Sequence, residues 1–184
     1  MKQLMLAALA TATAFAAYAE TAPFQLSLTP DIAIQDRDTE IKGVSLGLWN
    51  ENPGTQWQIG VVNGATGESV GLQGPIFYTL FNYAENHTGV QWGLVNYNSG
   101  EFTGLQWGAV NYANQLTGVQ WGIGNIAKSV DGGFQWGLVN YTESAKNLFQ
   151  LGLVNIIADN PWFSNFPGEL AQGFIIANWT FGDQ

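Results

Sequence analysis

The amino-acid sequence predicts an all-β protein, an antiparallel meander of about ten strands closed into a small β-barrel. Three observations lead to this prediction. A phrase of the type GVQWGLVN recurs along the chain, its side chains alternate in character at period two, and short turn-forming segments separate the copies. A meander leaves two edge strands with unpaired backbone groups, and closure into a barrel pairs these two strands with each other.

The N-terminal residues are predicted to form a signal peptide over 1–19, followed by one repeat-built β domain over 20–184. Lys2 precedes the apolar run 4–17, and the small-x-small sequence AYA at 17–19 provides a cleavage site. We therefore expect an exported protein. The sequence has no cysteine, which excludes disulfides and thiolate metal sites.

The repeats occupy residues 43–155. A strand-like segment FQLSLTPDIAI (24–34) precedes them, and a closing strand GFIIANWTF (173–181) follows, which makes ten strand-sized segments. Linkers such as NSGE (98–101), NGATG (63–67) and VDGG (130–133) are typical of hairpin turns. The units, aligned on the final asparagine, are GVSLGLWN (43–50), QWQIGVVN (56–63), PIFYTLFN (75–82), GVQWGLVN (89–96), GLQWGAVN (104–111), GVQWGIGN (118–125), GFQWGLVN (133–140) and LFQLGLVN (148–155).

Strict alternation assigns the repeated side chains to two faces. Trp92 and Asn96 fall on one face, while Gln91, Gly93 and Tyr97 fall on the other. In the barrel, the Val-Trp-Leu face would contact lipid and the Gln-Gly-Val-Tyr face would fill the lumen, with glycines making room for tyrosine rings. The structural repeat positions of the four most regular units are Gln91, Trp92, Gly93, Asn96, Gln106, Trp107, Gly108, Asn111, Gln120, Trp121, Gly122, Asn125, Gln135, Trp136, Gly137 and Asn140.

The strand length favours a barrel of the outer-membrane type. A tilted strand of about ten residues rises about 25 Å, the height of the apolar band of such barrels. Two alternatives remain open. The tryptophan face could point inward as a water-soluble core, or the chain could form a parallel β-solenoid with one unit per coil, in which equal residues stack. The asparagine that ends every unit fits the solenoid, but we favour the barrel.

Composition limits the partners. Charged residues make up 10% of the chain, aromatic residues 14%, and the formal net charge is -9. Only five Lys and Arg residues are present, which argues against nucleic acid as a partner. Acidic residues concentrate between the repeats, where we expect solvated loop charges: Glu51, Glu68, Glu85, Glu101, Asp131, Glu143 and Asp159.

No residue set predicts a reaction. GVSLG at 43–47 matches the nucleophile-elbow pattern of hydrolases, but Ser45 occupies the position of glutamine in GVQWG, so the repeat explains both glycines. His87, the single histidine, follows Glu85 in an inter-repeat segment, where we expect it to be solvated. We predict no catalytic residue, no metal ligand and no cofactor. In the irregular segment 156–170, Trp162, Phe163 and Phe166 are predicted to form a cap.

The repeat units resemble those of a family of secreted bacterial surface-repeat proteins built from tandem GLQxGLVN-type modules. The resemblance covers residues 23–181 and includes the opening FQLSL and the close NPWFSNFPGELAQGFIIANWTF. It implies placement at the cell surface or outer membrane and implies no activity.

The last strand resembles the C-terminal signal of outer-membrane barrels. Ile175, Ala177, Trp179 and Phe181 alternate and are apolar, but three residues, 182–184, follow the final aromatic residue, where that signal normally ends. The resemblance implies outer-membrane lipid and the barrel-assembly machinery as partners.

Together these observations predict a non-enzymatic outer-membrane or cell-surface barrel with a structural role or a narrow pore. The alternative is a surface-exposed repeat module that binds a glycan or protein partner through exposed aromatic ladders.

Overall fold

The computed structural model describes residues 21–75, 77–160 and 173–181. The predicted signal peptide and the predicted cap residues Trp162, Phe163 and Phe166 lie outside these ranges. The strands of the described residues are β1 (Thr21–Thr29), β2 (Ile32–Ala33), β3 (Glu40–Asn52), β4 (Thr55–Gly74), β5 (Phe81–Trp92), β6 (Val95–Trp107), β7 (Val110–Trp121), β8 (Gly124–Trp136), β9 (Val139–Ile157) and β10 (Gly173–Phe181).

Neighbouring strands run parallel, and the predicted antiparallel barrel is wrong. The strand order is β10-β9-β8-β7-β6-β5-β4-β3-β1-β2, and each pair from β1–β3 to β8–β9 is parallel. Only the pairs β1–β2 and β9–β10, at the two ends of the described sheet, are antiparallel. The chain therefore winds as a β-solenoid, the arrangement that was the alternative at the level of sequence.

The repeats stack in register, one unit per coil. Gln91 pairs with Gln106, Trp92 with Trp107 and Asn96 with Asn111. Successive coils repeat this alignment. Because parallel strands in register place equal residues directly above one another, the repetition of the phrase is what lets each coil pack on the next.

Each coil is flattened and bends at two corners. In β6 the register shifts between Asn98 and Glu101, which marks one corner, and the Gly108-Ala109 bend that follows β6 marks the other. The hairpin prediction is therefore wrong. The segment 98–101 forms a corner within β6, and the segment 63–67 lies inside β4.

The second corner also changes which side chains face inward. Gln91 and Asn96 lie five residues apart, so unbroken alternation would place them on opposite faces, yet both are fully buried. The bend at Gly93 turns the chain between them. Trp92 and Tyr97 are both exposed, so the predicted assignment of tyrosine to a barrel interior is wrong.

The interior of the solenoid has two halves. Beneath the corner at 98–101, apolar side chains form the hydrophobic core: Phe102, Ala113, Leu116, Ala127, Val130, Ala145, Leu148 and Ile157. Beneath the other corner the buried side chains are the repeated glutamines and asparagines. A polar interior of this kind is stable only where its hydrogen bonds are satisfied.

Candidate functional site

The buried glutamines form a continuous ladder. Nε2 of each glutamine donates a hydrogen bond to Oε1 of the glutamine one coil earlier, over distances of 2.6–2.8 Å. The ladder runs through Gln58, Gln73, Gln91, Gln106, Gln120, Gln135 and Gln150. In the part of the chain that the structure describes, Oε1 of Gln150, at the end of the ladder, has no hydrogen-bond partner.

The asparagines form a second ladder of opposite direction. Nδ2 of each asparagine donates to Oδ1 of the asparagine one coil later, over 2.8–3.0 Å. This ladder joins Asn50, Asn63, Asn82, Asn96, Asn111, Asn125, Asn140 and Asn155. Because the two ladders point their amide dipoles in opposite directions along the solenoid axis, their fields offset one another.

The second amide hydrogen of several members ties the two arms of a coil together. Nε2 of Gln106 donates to the carbonyl of Tyr112 at 3.1 Å, and Nε2 of Gln120 donates to the carbonyl of Ile126 at 3.1 Å. The ladders thus satisfy buried polar groups within and between coils. Stacked Asn and Gln amides of this kind stabilise in-register β stacks.

Two positions of the repeat require glycine, each for a different structural reason. Gly104 has a φ of +134°, a conformation that favours glycine. At Gly108, a Cβ atom would collide with the carbonyl oxygen of Gly93 and lie 2.7 Å from Nδ2 of Asn96. The predicted reason for the second glycine, space for a tyrosine ring, is therefore wrong, since the close neighbours are a carbonyl and the asparagine ladder.

The repeated tryptophans form an external ladder. The rings of Trp92, Trp107, Trp121 and Trp136 have centroids 5.0–5.4 Å apart and interplanar angles of 6–11°. Each side chain stays 41–47% exposed. Because the rings stack face to face along the solenoid axis, they present their edges to the surroundings and cover their faces.

A second apolar column runs beside the tryptophans, across the glycine bend. It includes Leu94, Ile123, Leu138 and Leu153, which are 43–64% exposed. Between the two columns lies a groove of about 660 Å³ with the bend glycines as its floor. We call the two columns and this floor the apolar edge of the solenoid.

The backbone of the groove floor is hydrogen-bonded within the solenoid. The N–H groups of Gly108 and Gly122 donate to the carbonyls of Trp121 and Trp136 at 3.0 and 2.9 Å. The N–H of Ile123 donates to the carbonyl of Ala109 at 2.9 Å. These N–H groups therefore do not require a hydrogen bond to a ligand.

Charges lie on the opposite side of each coil. Between Phe81 and Ile157, a stretch that the structure describes throughout, every charged residue is exposed and lies in a corner segment of the type 98–101 or, for Asp131 and Lys146, just after it. These residues are Glu85, Glu101, Lys128, Asp131, Glu143 and Lys146. We call this side the charged corner; Lys146 and Asp131 form an ion pair there at 2.9 Å.

Glu51 departs from the expected solvated loop charge. Nε of Arg37 donates to Oε1 of Glu51 at 2.6 Å, and the hydroxyl of Tyr83 donates to Oε2 of Glu51. Nε1 of Trp49 in turn donates to the Tyr83 hydroxyl at 3.2 Å. Burial of the hydroxyl raises the pKa of Tyr83, and the hydrogen bond to Glu51 raises it further. The cluster links the first coils across the outer face.

The expectation of a solvated His87 is wrong. The imidazole is only 2% exposed, its Nδ1 lies 2.7 Å from Oγ of Ser69, and its ring stacks on Phe102 at 5.8 Å. Burial lowers the pKa of His87 to about 4. The strand register explains why His87 is buried. His87 pairs with Phe102, so it lies in a column of side chains that continues into the hydrophobic core.

Ser45 pairs in register with Gln58, so its place as the glutamine position of its unit is confirmed. It lies inside β3, is fully buried, and donates a hydrogen bond from Oγ to Oδ1 of Asn50 at 3.1 Å. The nucleophile elbow instead requires a sharp strand-to-helix turn that exposes the serine. Ser45 thus serves the asparagine ladder.

Within the described ranges, no cluster of three or more His, Asp or Glu side chains is arranged to hold a metal ion. The same residues contain no helix with the length and hydropathy needed to cross a membrane. No family model, curated protein or solved structure matches the chain.

Proposed function

We propose that the chain is an exported, non-enzymatic surface repeat module that binds a partner through its apolar edge. One observation carries this proposal. Exposed tryptophan, leucine and isoleucine side chains form continuous columns on one side of the coils, while the charges of residues 81–157 lie on the other side. Large contiguous apolar patches on a protein surface mark interaction sites.

The pattern of burial supports this use of the edge. The repeated amides that could hydrogen-bond to a ligand are turned inward and bonded to each other, whereas side chains that gain free energy from burial are turned outward. This arrangement leaves apolar area that contact with a partner would remove from water.

The ring geometry favours an apolar partner over a glycan. Sugars bind aromatic side chains by lying against exposed ring faces. In the tryptophan ladder the faces of neighbouring rings cover each other, with interplanar angles of 6–11°. The pore role is not supported, because it depended on a barrel lumen and the solenoid interior is filled by amide ladders and the hydrophobic core.

Cell fractionation of the full chain in a bacterial host tests the proposal. Ile123→Glu places a charge on the apolar edge, and Thr117→Glu, the matched control, places the same charge on the exposed outer face of the same coil, beside the charged corner. We expect the native chain and the control to be retained at the cell envelope and accessible to added protease. Ile123→Glu should be released into the medium. Cytoplasmic retention of the native chain, or equal retention of both variants, would refute the proposal.

A further inference from the structure

We infer that the apolar edge docks on the surface of a lipid bilayer, with the solenoid axis lying along the membrane plane and the charged corner facing water. This inference rests on the proposed function and names the partner of the same surface. Three features support it: the length of the edge, an aromatic projection, and the placement of the polar and charged groups.

The edge is long and largely apolar. Its first rows are Leu26, Leu46 and Ile59; Gly74, which follows Gln73, leaves the next row without a side chain, and the tryptophan ladder and Leu151 complete the edge. Because neighbouring parallel strands lie about 4.8 Å apart, the edge is roughly 40 Å long. Tryptophan, with an apolar ring and one N–H, is the residue that concentrates at the boundary between hydrocarbon and water.

An aromatic pair projects from the same edge. Phe77 is 95% exposed and Tyr78 is 60% exposed, and the groove at this point is lined by Tyr78, Trp92 and Leu94. A flat protein partner would have to provide a matching pocket for Phe77. A bilayer accepts such a side chain without a preformed pocket, because its acyl chains move aside.

The area of the edge is comparable to one side of a stable protein complex. The tryptophan ladder and the second column, exposed by 41–47% and 43–64%, present on the order of 800 Å² of accessible surface, about what each partner buries in such a complex. Area alone therefore suits either occupant, and the strength of adsorption at a membrane interface grows continuously with buried apolar area. The projecting Phe77 and the charges on the far side of the coils favour the bilayer over a second copy.

The polar groups support the same occupant. The N–H groups of Gly108 and Gly122 already donate to carbonyls of the solenoid, so a peptide strand or a glycan would find no free backbone donor there. The net charge of -9 opposes binding to an anionic membrane. The expected target is thus a neutral bilayer, bound by apolar contact with little dependence on salt.

Flotation with phosphatidylcholine vesicles tests the inference on the full exported chain. We expect the native chain to float with the vesicles, with a blue shift of tryptophan emission and equal binding at low and high salt. Ile123→Glu should lower the partition coefficient by about tenfold or more, since a carboxylate at the interface opposes insertion. Phe77→Ser should lower it by a smaller factor. The control Thr117→Glu should change it by less than about twofold.

The outcomes separate this inference from the proposed function. If the native chain does not float but forms a dimer that Ile123→Glu dissociates, the lipid inference is overturned and the proposed binding role of the edge stands. If native and both glutamate variants float equally, the edge is not the docking surface and both are overturned. Circular dichroism of each variant distinguishes loss of binding from loss of fold.

Discussion

Replacement of Gln120 by methionine tests the glutamine ladder at its middle. Methionine keeps an unbranched side chain of similar length but has no amide. The change deprives Oε1 of Gln106 of its donor at 2.7 Å, Nε2 of Gln135 of its acceptor at 2.7 Å, and the carbonyl of Ile126 of its donor at 3.1 Å. Each buried group left unsatisfied costs about 1–3 kcal/mol, so we expect a loss of about 4 kcal/mol in the free energy of unfolding.

Gln150→Met is the matched control at the end of the ladder. It removes Oε1 of Gln150, which has no partner among the described residues, and Oε1 of Gln135 keeps a donor, Oγ1 of Thr142, at 3.0 Å. The carbonyl of Ile156 loses its bond to Nε2 at 3.0 Å. We expect a loss of about 1 kcal/mol for this variant.

Urea denaturation followed by circular dichroism measures the difference between the two variants. The expected gap of about 3 kcal/mol corresponds to about 1.5 M urea in the unfolding midpoint, at a slope of about 2 kcal/mol per molar. Equal midpoints for the two variants, or a gain in stability for Gln120→Met, would refute the ladder as a source of stability.

Three further predictions concern the backbone, the buried histidine and the core. Gly104→Ala should cost about 3 kcal/mol or more in unfolding free energy, because its φ of +134° and the adjacent Gly89 carbonyl leave no place for Cβ. Acidification from pH 7 to pH 4 should cost about 3 kcal/mol through His87, whose neutral form the fold prefers: its pKa is about 4 when folded and about 6.5 when unfolded, so stability is lost as pH falls below 6.5. Phe102→Ala should cost about 3–5 kcal/mol by opening a cavity in the core.

Each of these has a control in the same chain. Gly124→Ala should change stability by less than about 1 kcal/mol, since no atom lies within 4 Å of its added Cβ. His87→Phe should reduce the pH dependence, and an unchanged pH dependence would contradict the role given to His87. Val110→Ala, on the outer face, should cost less than Phe102→Ala by thermal unfolding, and equal costs would place the core elsewhere.

The strand content and the repeat positions could be predicted from the sequence. The β class follows from alternation and composition, and the recurring glycine, glutamine and asparagine mark positions where stacking demands one residue type. The asparagine at the end of every unit was the best signal for the solenoid. A closed barrel has no physical need for equal residues in neighbouring strands, whereas parallel stacking rewards it through ladders such as Asn96 to Asn111.

The direction of the strands could not be read from period-two alternation. Parallel and antiparallel strands share this period. In addition, the bend at Gly93 interrupts the alternation of side chains, so that Gln91 and Asn96 both face inward. The linkers were misleading for a related reason. Gly-rich and Asn-rich segments suit a solenoid corner as well as a hairpin turn, and local sequence does not tell whether the next strand returns or continues.

The environment of His87 also depended on register. Its local sequence, AENHTG, is polar and turn-like, and only the pairing of His87 with Phe102 places it in an interior column. The apolar edge was missed in the same way. Alternation places each tryptophan and the residue two positions later, such as Trp121 and Ile123, on one face, but their union into a 660 Å³ groove opposite the charges requires the parallel stack.

Cysteine cross-linking between neighbouring coils tests the central claim of in-register parallel stacking. The chain has no cysteine of its own, and Thr103 and Thr117 are exposed Cα partners in β6 and β7. The double variant Thr103→Cys/Thr117→Cys should form an intramolecular disulfide on mild oxidation, because paired strand residues lie within the Cα separation that a disulfide spans. In an antiparallel meander these two positions would lie at opposite ends of adjacent strands, roughly 25 Å apart, and two free thiols after oxidation would contradict the account.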